Sequence, residues 1–162
     1  MSRAVLSIGS NLGDRLGHLR AAVAALRPLA VSGVYETAPW GGVEQDDYLN
    51  AVLVAEADLD PRGWLDRAHA VEAAAGRTRD VRWGPRTLDV DLVEVDGILS
   101  AAPELTLPHP RAHERAFVLV PWLDVDPDAE LTGHGPVAAL AARLVAADPA
   151  AVHPRPDLTL TQ

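Results

Sequence analysis

Two stretches of helical periodicity, each headed by a capping aspartate and closed by a breaker, alternate with short apolar runs of strand character, and this limits the folds open to the chain. Asp14 can cap a first helix in which Leu16, Leu19, Val23 and Leu26 recur at helical spacing until Pro28 forbids continuation. Asp60-Pro61 heads a second, where Leu65, Ala68, Glu72 and Ala75 repeat until Gly76. Four further segments read as strands. These are Ala4 to Ile8, ending in the tight-turn residues Gly9-Ser10-Asn11, then Val31 to Thr37, Tyr48 to Ala57 and Leu88 to Val95. Asp96-Gly97 predicts a hairpin returning through Ile98 and Leu99. The order strand, helix, strand, strand, helix, strand is the ferredoxin-like pattern, an α/β (α+β) arrangement with helices packed on one face of an antiparallel sheet. Prolines obscure residues 100 to 134, and Pro136 to Val145 reads as a last alanine-rich helix. The tail from Ala146 to Gln162 carries three prolines and is expected to be partly ordered at best.

The 162 residues fit a single domain able to bury a continuous core without disulfides. There are no cysteines, which excludes a thiolate metal site and a cysteine nucleophile. No apolar run reaches the length of a membrane span, and the chain enters its first strand at once, so a cytoplasmic protein without leader or anchor is expected. The net charge of -9 argues against nonspecific nucleic-acid binding. All 14 basic residues are arginine, which excludes a lysine-containing phosphate loop. Arg77, Arg79, Arg82 and Arg86 nevertheless crowd into ten positions, followed by Arg111 and Arg115. A basic cluster in an acidic chain suggests a confined anion site, against the plainer reading of a solvated loop paired with nearby acids.

Asp89 and Asp91 lie two apart on a strand, so their carboxylates face the same way with bases about 7 Å apart. Hard carboxylates so placed can hold one or two Mg2+ ions that draw their remaining ligands from water and nucleotide phosphates. The alternative is an exposed polar face of an edge strand. Arg82-Trp83-Gly84-Pro85-Arg86-Thr87-Leu88 immediately upstream adds guanidinium donors and an aromatic ring. His109 stands between Pro108 and Pro110, with Arg115 and Phe117 following. Such a histidine can be a structural hydrogen-bonder or, beside phosphate, a donor. Tyr48 and Asn50 share a strand face with Val52 and Val54, and could offer a ring and an amide to a flat heterocycle or simply pack.

Four ordered motifs resemble the 6-hydroxymethyl-7,8-dihydropterin pyrophosphokinase family. They are Ile8-Gly9-Ser10-Asn11-Leu12, Asp47-Tyr48-Leu49-Asn50-Ala51, the run from Arg82 to Leu92, and Leu105-Thr106-Leu107-Pro108-His109-Pro110 with Arg115 and Phe117. The chain departs from the family pattern at Ala38, His69, Glu104 and Pro110. The resemblance implies an ATP-dependent diphosphotransferase of folate biosynthesis, a single catalytic domain over 1–162, expected to be monomeric and to act on ATP and a pterin. It implies two Mg2+ ions on Asp89 and Asp91, with Arg82 and Arg86 as catalytic partners. Tyr48 and Phe117 would sandwich the pterin, Thr37 and Asn50 would bond its polar edge, and Trp83 would close over it. Glu72, Arg79, Arg86, Leu92, Thr106, His109 and Arg115 would serve the nucleotide, Leu92 largely through its backbone. Two rivals are a ferredoxin-like binding module without catalysis and another Mg2+-dependent nucleotide enzyme.

Overall fold

The computed structural model describes residues 1–38, 46–76 and 87–161. In chain order the elements are β1 (Ser2–Ser10), α1 (Arg15–Leu26), β2 (Ala30–Val31), β3 (Tyr35–Thr37), β4 (Tyr48–Ala57), α2 (Pro61–Ala74) and β5 (Asp89–Val95). There follow β6 (Ser100–Ala102), β7 (Leu105–Leu107), α3 (Ala116–Val125), β8 (Glu130–Leu131), β9 (Gly135–Pro136), α4 (Val137–Ala147) and β10 (His153–Pro154). The main sheet runs β10-β3-β4-β1-β5 with β2 also on β4, and every pairing is antiparallel. This is the strand order the ferredoxin-like pattern requires.

Both expected helices form where their caps direct. The Asp14 carboxylate accepts the Gly17 N–H at 3.0 Å, and Arg27 closes α1 in the left-handed region, returning its N–H to the Val23 carbonyl. Asp60 accepts the Gly63 N–H at 2.8 Å, with Pro61 in the first turn of α2. These bonds satisfy amides that a helix start leaves without internal partners.

Alternation along the strands divides the side chains between two cores. Ala4, Leu6 and Ile8 of β1, Leu49, Ala51, Leu53 and Ala55 of β4, and Val90 and Leu92 of β5 pack with Leu19, Ala22 and Leu26 of α1 and Trp64 and Ala68 of α2. Leu53 sits fully buried at the centre, and its truncation to alanine would cost about 2–5 kcal/mol. Val5, Val52, Val54 and Val93 face the other way, against Val118, Leu119 and Trp122 of α3 and Val137 and Ala141 of α4. The helices therefore cover both sheet faces, which corrects the expectation of one covered face. The second layer joins α3, from the stretch that prolines obscured, to α4, which forms where the last alanine-rich helix was expected. Pro121 lies inside α3, among buried Ala116, Val118, Leu119 and Trp122. A helix so apolar needs cover on two sides, and here the sheet and α4 supply it.

Three other expectations change. The run from Val31 to Thr37 is split into β2 and β3, because Val31 pairs with Leu53 but Tyr35 with Asn50, one residue out of register. The Ser32 hydroxyl fills the gap by accepting the Val52 N–H at 2.9 Å. The Asp96-Gly97 turn forms with both residues at positive φ, and Ile98 N–H donates to the Val95 carbonyl at 2.8 Å. Ile98 and Leu99 do not return along β5, however, and β6 pairs with β7 instead. The outer edge of β5 is already engaged, its Val93 carbonyl accepting the His109 N–H at 2.8 Å. Finally, β1 runs through Gly9 to Ser10 rather than stopping at Ile8. Beyond α4 the chain lies against the sheet edge, where β10 pairs with β3 and Leu160 is buried beside the first core.

Candidate active site

Beyond Val52 and Val93 the second sheet face turns polar. Partners directly opposite in an antiparallel sheet share a face, so the registers lay out its surface. Tyr35 stands opposite Asn50, Asn50 opposite Gly9, and Gly9 opposite Asp89, a single row across four strands. In the flanking rows Thr37 faces Tyr48, and Ser7 lies between Val52 and Asp91. The residues expected to hold a pterin edge and those expected to hold metal thus meet across β1, with glycine between them.

That glycine, read in the sequence as a turn and motif residue, lies between the two groups. A β-carbon on Gly9 would lie 3.0 Å from Asn50 Oδ1 and 3.4 Å from Tyr48 Cδ1. A glycine inside a strand commonly marks such a close approach, and this was the signal available in the sequence. On one side of it the Asn50 amide, 3% exposed, donates from Nδ2 to Thr37 Oγ1 at 2.8 Å. The pair is oriented before any ligand arrives. Tyr48 is half-buried alongside.

On the other side α3 begins with Arg115 as its cap and Phe117 in its first turn. The Arg115 guanidinium lies 5.5 Å from the centre of the Phe117 ring, and its Nη1 lies 3.7 Å from Asp91 Oδ2. One arginine therefore links the ring to the carboxylate pair. Glu72 completes the buried stripe Trp64, Ala68, Glu72 of α2, and its Oε2 accepts the Val90 N–H at 2.9 Å. Val90 sits between the two aspartates, so Glu72 holds the backbone from which both project.

His109 is fixed by its surroundings. Its backbone donates to Val93, and its Nδ1 accepts the Arg111 N–H at 3.2 Å, which leaves the hydrogen on Nε2. Burial, and then Arg115 and Arg111, lower its pKa from 6.5 to about 4. Near neutral pH the ring is an uncharged Nε2–H donor. Thr106, on β7, donates from Oγ1 to the Ala102 carbonyl at 3.0 Å. The Leu92 side chain is buried in the first core, which leaves only its backbone for a ligand. Arg79, Arg82, Trp83 and Arg86 lie outside the described residues.

Asp89 and Asp91 present hard oxygen donors on one strand face, with the Asp91 side chain 41% exposed. Among the described residues no group of three or more His, Asp or Glu could hold a metal. A cation here would complete its shell from water and substrate phosphate. That is the habit of Mg2+, so the donor set fits that ion.

A carboxylate pair, a guanidinium and a neutral histidine beside an amide–hydroxyl pair and an aromatic ring are the equipment of an enzyme that transfers phosphoryl groups to a flat substrate. A family model described as 7,8-dihydro-6-hydroxymethylpterin-pyrophosphokinase matches residues 5–127, and the chain belongs to that family. The resemblance carried by the four motifs is thereby upheld. A 2-amino-4-hydroxy-6-hydroxymethyldihydropteridine pyrophosphokinase of Mycobacterium tuberculosis (strain ATCC 25618 / H37Rv) is 52% identical over 163 residues, covering 91% of this chain and 87% of the relative. The protein of that name from Mycobacterium leprae is 55% identical over 148 residues, covering 83% and 78%. Among solved structures, Plasmodium falciparum HPPK-DHPS has a similar fold, with TM-score 0.71 at 12% identity. The match covers 90% of this chain and 44% of that one.

Proposed function

We propose that the chain transfers the diphosphate group of ATP to the hydroxymethyl oxygen of 6-hydroxymethyl-7,8-dihydropterin, a step of folate biosynthesis. The oxygen attacks the β-phosphorus, the bond from that phosphorus to the α,β-bridging oxygen breaks, AMP leaves, and the hydroxymethyl proton is lost to solvent. ATP is the co-substrate, and Asp89 and Asp91 hold two Mg2+ ions. When bound, these neutralise charge on the phosphate oxygens. The observation that carries the reading is the row Asn50, Gly9, Asp89, which supports a pterin edge and a phosphate site side by side on one sheet face.

The protein's own contribution is alignment and fixed charge rather than covalent chemistry. Tyr48 and Phe117 stack on the two faces of the pterin, with Trp83 closing over it. Thr37 and Asn50 bond its polar edge without reorganising, because they are already paired. Arg115 and the neutral Nε2–H of His109 donate to phosphate oxygens, joined by Arg79, Arg82 and Arg86. Glu72 holds Val90, and the backbone around Leu92 and the Thr106 hydroxyl complete the nucleotide side. Residues 1–162 act as one catalytic domain, monomeric and cytoplasmic. Among the described residues no helix is long and apolar enough to cross a membrane. The test is AMP release from ATP and Mg2+ with and without the pterin alcohol. Pterin-dependent AMP supports the assignment, whereas pterin-independent hydrolysis or no turnover supports one of its rivals.

A further inference from the structure

Glu36 sits on β3 between Tyr35 and Thr37, and alternation turns its carboxylate to the sheet face opposite Thr37. Its two oxygens are divided between two arginines from distant parts of the chain. Arg15, at the start of α1, donates from Nη1 to Oε2 at 3.2 Å. Arg155, just beyond β10, donates from Nη1 to Oε1 at 3.1 Å. The same Nη1 of Arg15 also donates to the Asp47 carbonyl at 2.9 Å, next to Tyr48. Arg155 is held in turn by both oxygens of Asp157, at 3.1 and 2.9 Å, and by its own N–H to the Val34 carbonyl at 2.8 Å.

Exposed ion pairs contribute little, but these side chains are partly shielded, with Glu36 24% exposed, Arg15 29% and Arg155 32%. The local ladder is also thin, because β3 has three residues and β10 two. Few backbone bonds therefore resist fraying of the strand that carries Thr37. Thr37 and Tyr48 stand opposite one another, and the network holds the Asp47 carbonyl beside Tyr48 and the Glu36 side chain beside Thr37.

We infer that Glu36, Arg15 and Arg155 form a positioning relay through which the segment after α4 fixes the spacing of Thr37 and Tyr48 for the pterin ring. None of the three touches substrate. The inference rests on the pterin assignment above, and it makes the C-terminal segment a determinant of pterin affinity while leaving the nucleotide side alone.

The experiment is Arg155→Ala in the full chain, with pterin and ATP titrated separately by calorimetry and amide exchange followed over residues 48–50. The relay predicts pterin Kd raised about tenfold, ATP Kd changed by less than about twofold, and faster exchange in that strand. Arg155→Lys keeps one ion pair to Glu36 and should recover most of the affinity. Arg15→Ala should resemble Arg155→Ala, and the double variant should lose less than the product of the two, because both act through Glu36. Should Arg155→Ala not fold, Glu36→Gln carries the same comparison. Unchanged pterin Kd in a folded variant, or equal losses for pterin and ATP, overturns the relay. Absence of pterin-dependent AMP in the wild-type chain would instead sink the functional assignment. Exchange at 48–50 then judges the relay alone, and unchanged exchange overturns it.

Discussion

Gly9 and Asn50 face each other across β1 and β4 so closely that a β-carbon on Gly9 would lie 3.0 Å from the Asn50 side-chain oxygen. Asn50 cannot easily retreat, since its amide nitrogen is bonded to Thr37 at 2.8 Å in a buried setting. Gly9→Ala should therefore displace the amide proposed to receive the pterin while the sheet persists. Overpacking at this scale should weaken pterin binding about tenfold, with ATP binding nearly unchanged. Calorimetry on the folded variant checks this, and unaltered pterin affinity would mean Asn50 is not a ligand.

Asp89→Asn and Asp91→Asn each remove a charge proposed to hold Mg2+ while keeping the side-chain size. Turnover should fall about a hundredfold or more, the scale of losing one fixed charge-stabilising contact. Near-normal AMP release by either variant at saturating Mg2+ would remove the metal assignment.

Phe117→Ala deletes a ring that is only partly buried in the second core. Loss of aromatic stacking on a flat heterocycle should cost about 1–3 kcal/mol of pterin binding. ATP should lose less, through the freed Arg115 that now lies over the ring. Separate titrations decide the matter, and equal losses would indicate a general disturbance of α3.

His109 ties stability to pH. Its pKa is 6.5 ordinarily and about 4 in the fold, so between these values the unfolded chain takes up a proton that the folded chain refuses. The contribution is complete above 6.5 and is lost as pH falls through about 4. His109→Gln should flatten this limb of a plot of denaturation midpoint against pH. The same slope in both proteins would show that the ring is not held neutral. Activity should show no ionisation of this ring between about pH 6 and 8.

How much of this was legible in the sequence follows from the kind of signal each element carries. Asp14 and Asp60 announced their helices because capping is local, and β4 ran from Tyr48 to Ala57 as its alternation required. Helix α3 of the second layer was hidden because prolines interrupt residues 100 to 134, and Pro121 is tolerated inside a helix buried between sheet and α4. The carboxylates proposed to hold metal, and Asn50, were visible as side chains. Gly9 was visible as a turn and motif residue but not as a point of close approach, since that depends on what stands opposite it. The Glu36 network joins residues 15, 36 and 155, and no local pattern announces contacts over such separations.

Transfer of a diphosphate as one unit from ATP to the pterin alcohol is tested most directly by product identity. ATP labelled at the β-phosphorus, incubated with Mg2+, the pterin alcohol and the enzyme, should yield AMP and a labelled pterin diphosphate in equal amounts. ADP with a singly phosphorylated pterin, or label released only as inorganic phosphate or pyrophosphate, would contradict it.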